Sequence, residues 1–356
     1  MIVDKYKIWF CALPLQSKIK IEIIKNYKNY EKIYEIREEI FKKLTCYKKI
    51  LDFTVNNDKI KKIEEDLKNN KYNIITYEEN DYPKNFRMIE DPPFSIFYKG
   101  QIDFINKLTF IAIVGSRKHS KYGENITKDI VANLIGQDNV GIVSGGAIGI
   151  DSIAHKAATE NNIFNVAVLG CGIDVVYPKS NINLFRRIID KGVILTEFLP
   201  GEEPIYYNFP RRNRLISAIS KSVIVTEASI KSGASNTAYH ACCQNKSIYA
   251  VPGNIDSKFS EGCNLLINDG ALVYLNIEQV FKEMGLIYKN IEKDTNYKIK
   301  LQILKILDEE PVHFDTIVKE IKVDRNIINE LLFEMQFDNE VIGLTGNNYM
   351  KILWNN

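Results

Sequence analysis

The segment from Val140 to His155 runs from an apolar strand through Ser144-Gly145-Gly146-Ala147-Ile148-Gly149 into a helix start at Ile150-Asp151. At such a junction unpaired amides and the positive end of the helix dipole face outward, and glycine removes the Cβ atoms that would keep an anion away. Ser144, Gly145, Gly146 and Ala147 are therefore expected to cradle a phosphate. A second cradle, Gly115-Ser116-Arg117, follows the apolar run Phe110 to Val114, and its guanidinium suits a bidentate phosphate pair. Lys179 after Tyr177-Pro178, and Ser232-Gly233 before Ala234, extend the series with a cation and a helix start. Several cradles on neighbouring strand ends point to a ligand with several phosphates.

Other reactive residues read more quietly. Pro210-Arg211-Arg212-Asn213-Arg214 packs three guanidinium groups before an apolar helix. One is expected to pair with Glu197 or Glu227, leaving the cluster half structural and half ligand-facing, with Arg211 and Arg212 as the ligand candidates. Asp151 and His155 share a helix face as a conceivable catalytic pair, but a cap and a packing histidine are the simpler reading. No activated nucleophile, no P-loop ending in Lys-Ser/Thr and no Gly-x-Gly-x-x-Gly spacing occurs, so no catalytic residue and no cofactor is expected. The six cysteines (Cys11, Cys46, Cys171, Cys242, Cys243, Cys263) lack Cys-x-x-Cys spacing, which argues against a metal site or disulfide framework and for small buried apolar side chains.

These residues need elements to hold them. From Leu108 a strand-loop-helix alternation repeats, with strands expected at 109–114, 141–144, 165–169, 192–196, 222–226, 247–251 and 271–275. Helices fit between them at 123–135, 151–160, 181–190, 213–219, 234–244 and 262–269. Ahead of this α/β region, apolar residues at helical spacing from Ile19 through Leu44 to Leu67 mark a helical domain, and two short strands follow, at 73–77 and 94–98. Three helices (from Leu301, 313–321 and 325–337) and a hairpin turning at Gly346-Asn347 describe a winged helix-turn-helix. The expected layout is a helical domain at 1–72, an extended Rossmann-like parallel or mixed sheet at 73–287, a polar linker at 288–297 and a winged-helix domain at 298–356. Net charge over the 356 residues is only +2, although residues 1–72 hold 17 lysines and arginines against 11 acids. Solvated helix faces explain that excess more simply than a binding patch. Neither a membrane span nor a secretory leader is legible, so no membrane contact and a cytoplasmic location are expected.

Taken in order, the motifs resemble the DprA (Smf) family of bacterial DNA-processing proteins. They are Tyr82-Pro83, Asp91-Pro92-Pro93, Tyr98-Lys99-Gly100, Ile113-Val114-Gly115-Ser116-Arg117, Tyr122-Gly123, Ser144-Gly145-Gly146-Ala147, Gly149-Ile150-Asp151 and His155. Gly170-Cys171-Gly172-Ile173-Asp174, Tyr177-Pro178, Glu197, Phe209-Pro210-Arg211-Arg212-Asn213-Arg214, Glu227-Ala228, Ser232-Gly233, Thr237-Ala238 and Val251-Pro252-Gly253-Asn254 continue the series. The resemblance implies a homodimer that binds single-stranded DNA and helps load the recombinase RecA during natural transformation, with no catalytic reaction. It also implies phosphate contacts at residues 115–117, at 144–147 and at Lys179. One departure is Ile148, where many relatives carry a polar or basic residue. Tyr177 and Phe185 can stack on bases or belong to the core, the core being the stronger reading. Two alternatives stay open: a LOG-like nucleoside-monophosphate phosphoribohydrolase, which uses a glutamate after a glycine loop, and a transcription regulator reading duplex DNA through its winged helix. Against the second, only Lys322 and Arg325 near the candidate recognition helix are basic, beside Asp324, Glu330 and Glu334.

Overall fold

The computed structural model describes residues 4–42, 52–230, 232–307 and 310–352. Leu44 and Cys46 lie outside them. The chain divides into two compact units, Met1–Ile287 and Tyr288–Asn356.

The first unit is built on a nine-stranded sheet: β1 (Asn73–Thr76), β2 (Ser95–Gly100), β3 (Thr109–Val114), β4 (Val140–Ser144), β5 (Asn165–Val168), β6 (Val193–Thr196), β7 (Ser220–Val225), β8 (Ser247–Ala250) and β9 (Leu272–Val273). Its order is β1-β2-β6-β5-β4-β3-β7-β8-β9. The pairs β1/β2 and β2/β6 are antiparallel and the rest are parallel, so the sheet is mixed. Every residue of β4, β5 and β6 is buried, as strands covered on both faces require.

Chain direction decides where a ligand fits. From β3 the chain steps outward through helices Lys121–Ala132, Ile150–Glu160 and Ile182–Lys191 to β4, β5 and β6. It then returns through helix Asn208–Ile219 and lays β7 on the other flank of β3. Loops after β3 and β7 thus diverge, and parallel sheets bind ligands in the crevice at such a reversal. The return helix starts five residues before its expected first residue, Asn213. It takes in Pro210 in its first turn, where a missing N–H costs nothing.

Helices Lys5–Ala12, Ser17–Tyr27, Tyr30–Glu35, Arg37–Phe41 and Asp58–Lys68 precede the sheet. Their Trp9, Phe10, Ile33 and Ile60 share one buried cluster with Phe97, Leu169, Phe185 and Ile194. Residue 72 therefore marks a change of secondary structure within a continuous core.

In the second unit, helices Ile291–Ile306, Phe314–Ile321 and Arg325–Phe337 surround Ile303, Leu307, Ile317, Ile328, Leu332 and Met335. A three-stranded sheet joins them, ordered β10 (Val312–His313), β12 (Asn348–Lys351), β11 (Val341–Leu344). Between β11 and β12, Gly346 (φ +76°) and Asn347 (φ +59°) take the left-handed conformations of a tight hairpin. The polar linker expected at 288–297 is corrected in part, because the helix begins at Ile291. No glycine or proline interrupts the segment, and its lysines and glutamate are good helix formers.

Candidate nucleic-acid interface

The glycine loop after β4 is closed from within. The Asp151 carboxylate accepts hydrogen bonds from the amides of Gly145 (3.1 Å) and Ala147 (3.4 Å). Two amides expected to meet a phosphate therefore meet the chain's own anion. Burial raises the Asp151 pKa, while the nearby Arg212 charge and the amide donors oppose that. Ser144 is buried and donates its hydroxyl to the Ile113 carbonyl at 2.6 Å, a correction to its expected ligand role. The Ser116 amide is likewise spent, on the Glu227 carbonyl at 2.8 Å. Gly149, at φ +86°, lets the two loops touch: a Cβ there would stand 2.4 Å from the Ser116 carbonyl oxygen.

Arg212 completes the closure. It donates through Nη1 to the carbonyls of Gly145 (2.6 Å) and Val168 and through Nε to Asn213 (3.1 Å). A Cβ on Gly145 would lie 2.6 Å from Arg212 Nη2, so a larger residue there would displace the guanidinium. Burial lowers the Arg212 pKa to about 10. His155 is buried, pairs through Nδ1 with Asn165 (2.6 Å) and is pushed by desolvation to about 4. Asp151 thus organises the loop and borders the cavity described next, whereas His155 is enclosed in the core and takes no part in that cavity's lining, so the two do not form an acid-base pair there.

The open space lies at the reversal between β3 and β7. A cavity of about 580 Å³ is walled by Gly115, Ser116, Arg117 and Lys118 after β3 and by Ser229, Ser232 and Gly233 after β7. Phe209, Pro210 and Ile216 from the return helix, with Phe259, supply an apolar wall, and Tyr206 and Lys258 complete the rim. Arg117 lies over the Phe209 ring at 5.4 Å, and Tyr177 meets the same ring at 5.5 Å. Beyond Phe209 a second cavity of about 50 Å³ runs under Gly145, Gly146, Ala147 and Ile148 to Gly170 and Pro178. Ser232 caps helix Gly233–Cys243 by accepting from the Ala234 amide at 3.1 Å, and a Cβ on Gly233 would meet open space. That helix start adds partial positive charge to the cavity.

Arg117, Lys118 and Lys258 are exposed, and among the described residues none of them has a carboxylate partner. Exposed beside an aromatic wall, such cations suit phosphates, while the rings suit bases. Lys179 is also exposed, but the lining of neither cavity includes it. Arg211 is engaged by Glu197 (3.0 Å), which also holds Arg214 at 2.7 Å, so the arginine cluster is more structural than expected. Glu227 instead accepts from the amide and the hydroxyl of Ser120. Phe185 is buried, while Tyr177 is 40% exposed beside Phe209. Cys242 and Cys243 are exposed, contrary to the expectation of buried thiols, whereas Cys11, Cys171 and Cys263 are buried. Sequence reasoning missed Lys118, Phe209, Lys258 and Phe259. Lys118 adjoins Arg117 and was within reach, but Lys258 and Phe259 lie in an irregular loop whose course no periodicity records.

Comparison with known proteins follows this geometry. The sequence profile of the family described as DNA recombination-mediator protein A matches residues 73–285. The DNA processing protein DprA of Streptococcus pneumoniae is 39% identical over 202 residues, 57% of this chain and 71% of that protein. Protein Smf of Escherichia coli is 36% identical over 214 residues, 60% of this chain and 57% of that protein. The X-ray structure of the pneumococcal DprA superposes with a TM-score of 0.68 at 30% identity, covering 80% of this chain and 99% of that one. The structure of DNA processing protein A from Helicobacter pylori, whose description names a single-stranded DNA binding mode, superposes with a TM-score of 0.54 at 30% identity, covering 60% of this chain and 95% of that one.

Proposed function

This chain belongs to the DNA recombination-mediator protein A family, the DprA/Smf proteins, and from that premise we propose that it binds single-stranded DNA along the cavity between β3 and β7. The observation that carries the reading is the group of uncompensated cations, Arg117, Lys118 and Lys258, around an aromatic wall at the sheet's reversal point. Phosphates pair with the cations, and a splayed base rests on the face of Phe209 or Tyr206. Lys179, exposed on the same sheet edge, extends the phosphate track. The Helicobacter relative's description as a single-stranded DNA binder supports the same ligand. The proposal includes a homodimer that helps load RecA on incoming strands in natural transformation, and a winged-helix fold for the C-terminal unit. No reaction is part of it. The phosphoribohydrolase reading loses its glutamate, since Glu227 is buried and committed to Ser120.

Anisotropy titration of a labelled oligothymidine across a salt series tests the binding. Four phosphate contacts give a log-log slope of about −3, and Arg117→Glu with Lys258→Glu lowers its magnitude by about 1.4. An unchanged slope in that double variant, or equal affinity for duplex, refutes the cavity as the site. RecA loading is read separately, as recovery of RecA ATPase activity on strands precoated with single-strand-binding protein.

A further inference from the structure

The second unit carries a surface that nucleic-acid contact does not explain. Helix Arg325–Phe337 buries Ile328, Leu331, Leu332 and Met335. On its outer side Phe333 is 71% and Phe337 85% exposed. Separated by four residues, they are neighbours on one face. Glu330 and Glu334 lie on the same helix and Asp338 follows directly, all exposed. The helix's one cation, Arg325, is tied to Asp315 at 2.8 Å and lies over the Phe314 ring. Lys300, from the first helix of the unit, meets Glu334 at 3.1 Å and Asp338 at 3.8 Å, while Glu330 has no cationic partner among the described residues. A helix reading duplex DNA turns cations towards the phosphates, and this one turns carboxylates and two phenyl rings. Aromatic anchors inside a charged rim are instead the makeup of a protein contact.

We propose that this face docks a basic amphipathic helix of a partner protein. Apolar side chains spaced i, i+4 on the partner cover Phe333 and Phe337, and its lysines or arginines pair with Glu330 and the neighbouring acids. Charge selects the occupant. A second copy of this chain in a two-fold contact would set Glu330 and Glu334 against their own kind, and DNA would meet them with phosphates. The proposal does not depend on the single-strand cavity.

The test uses the full chain and two labelled helical peptides of roughly four turns. Both carry leucines at i, i+4, flanked by lysines in one and by glutamates in the other. The lysine peptide binds, more weakly as salt rises, and the glutamate peptide does not. Phe333→Ala with Phe337→Ala weakens lysine-peptide binding about tenfold or more, with the thermal midpoint of the protein unchanged. Glu330→Lys, which leaves both rings in place, weakens it as well. Equal binding of the two peptides, or unaltered binding by both variants, overturns the proposal. So does loss of duplex binding or of self-association in the double variant, which would identify DNA or a second copy as the occupant.

Discussion

Arg117 and Arg212 carry the same group and touch the same cavity, yet their surroundings give them different work. Arg117 lies exposed over the Phe209 ring with no carboxylate partner among the described residues, whereas the Nε and Nη1 donors of Arg212 are spent on two carbonyls and Asn213. Arg117→Ala should weaken single-strand binding about tenfold and leave the thermal midpoint in place. Arg212→Ala should cost about 3 kcal/mol of stability, because it leaves buried acceptors unpaired, and denaturant unfolding measures that. An Arg212 variant as stable as the parent would sink the structural assignment. His155 gives a pH signature. The fold holds its pKa at about 4, whereas an unfolded histidine titrates near 6.5, so between those values the unfolded chain binds the additional proton. Its contribution is full above pH 6.5 and is lost as the pH falls towards 4, by on the order of 3 kcal/mol. In His155→Gln that part of the acid sensitivity disappears, and parallel stability curves for the two proteins would rule out the imidazole as its source.

At the scale of elements, the glycine loop and the helix after it form one device, held by the Asp151 carboxylate. Asp151→Ala frees the amides of Gly145 and Ala147 and should destabilise the fold by about 2 kcal/mol, read by chemical denaturation. Ser232→Ala, at the start of the helix on the cavity wall, should cost about 1 kcal/mol. If Ser232→Ala leaves stability unchanged, that cap contributes nothing. The strands were legible because their apolar runs are local, and β3 was read to the residue. The identity of the cradle's anion was not, since strand-glycine-helix reads alike whether a foreign phosphate or Asp151 sits in it. Only the path of the Asp151 side chain back towards Gly145 distinguishes the two. The cavity wall was also hidden: Phe209 comes from the return helix and Phe259 from the loop after β8, and sequence spacing does not record that they meet.

At the scale of the molecule, the two units have separate hydrophobic clusters, one reaching from the N-terminal helices into the sheet and another confined to residues 299–341. Truncation after Ile287 should therefore leave a cooperatively folded protein whose oligothymidine affinity and salt slope match those of the full chain within about twofold. Loss of the unfolding transition would show that the units depend on each other. The Asp151 carboxylate in the glycine loop has a consequence at this scale too. A pocket that offered those amides to phosphates would hold the free nucleotides that crowd a cell, whereas here the amides are already taken, so a lone nucleotide gains only the few cations it can reach and a strand gains the whole row. Millimolar ATP should therefore compete poorly with a DNA strand for this protein, which keeps its site available amid a large excess of small phosphates.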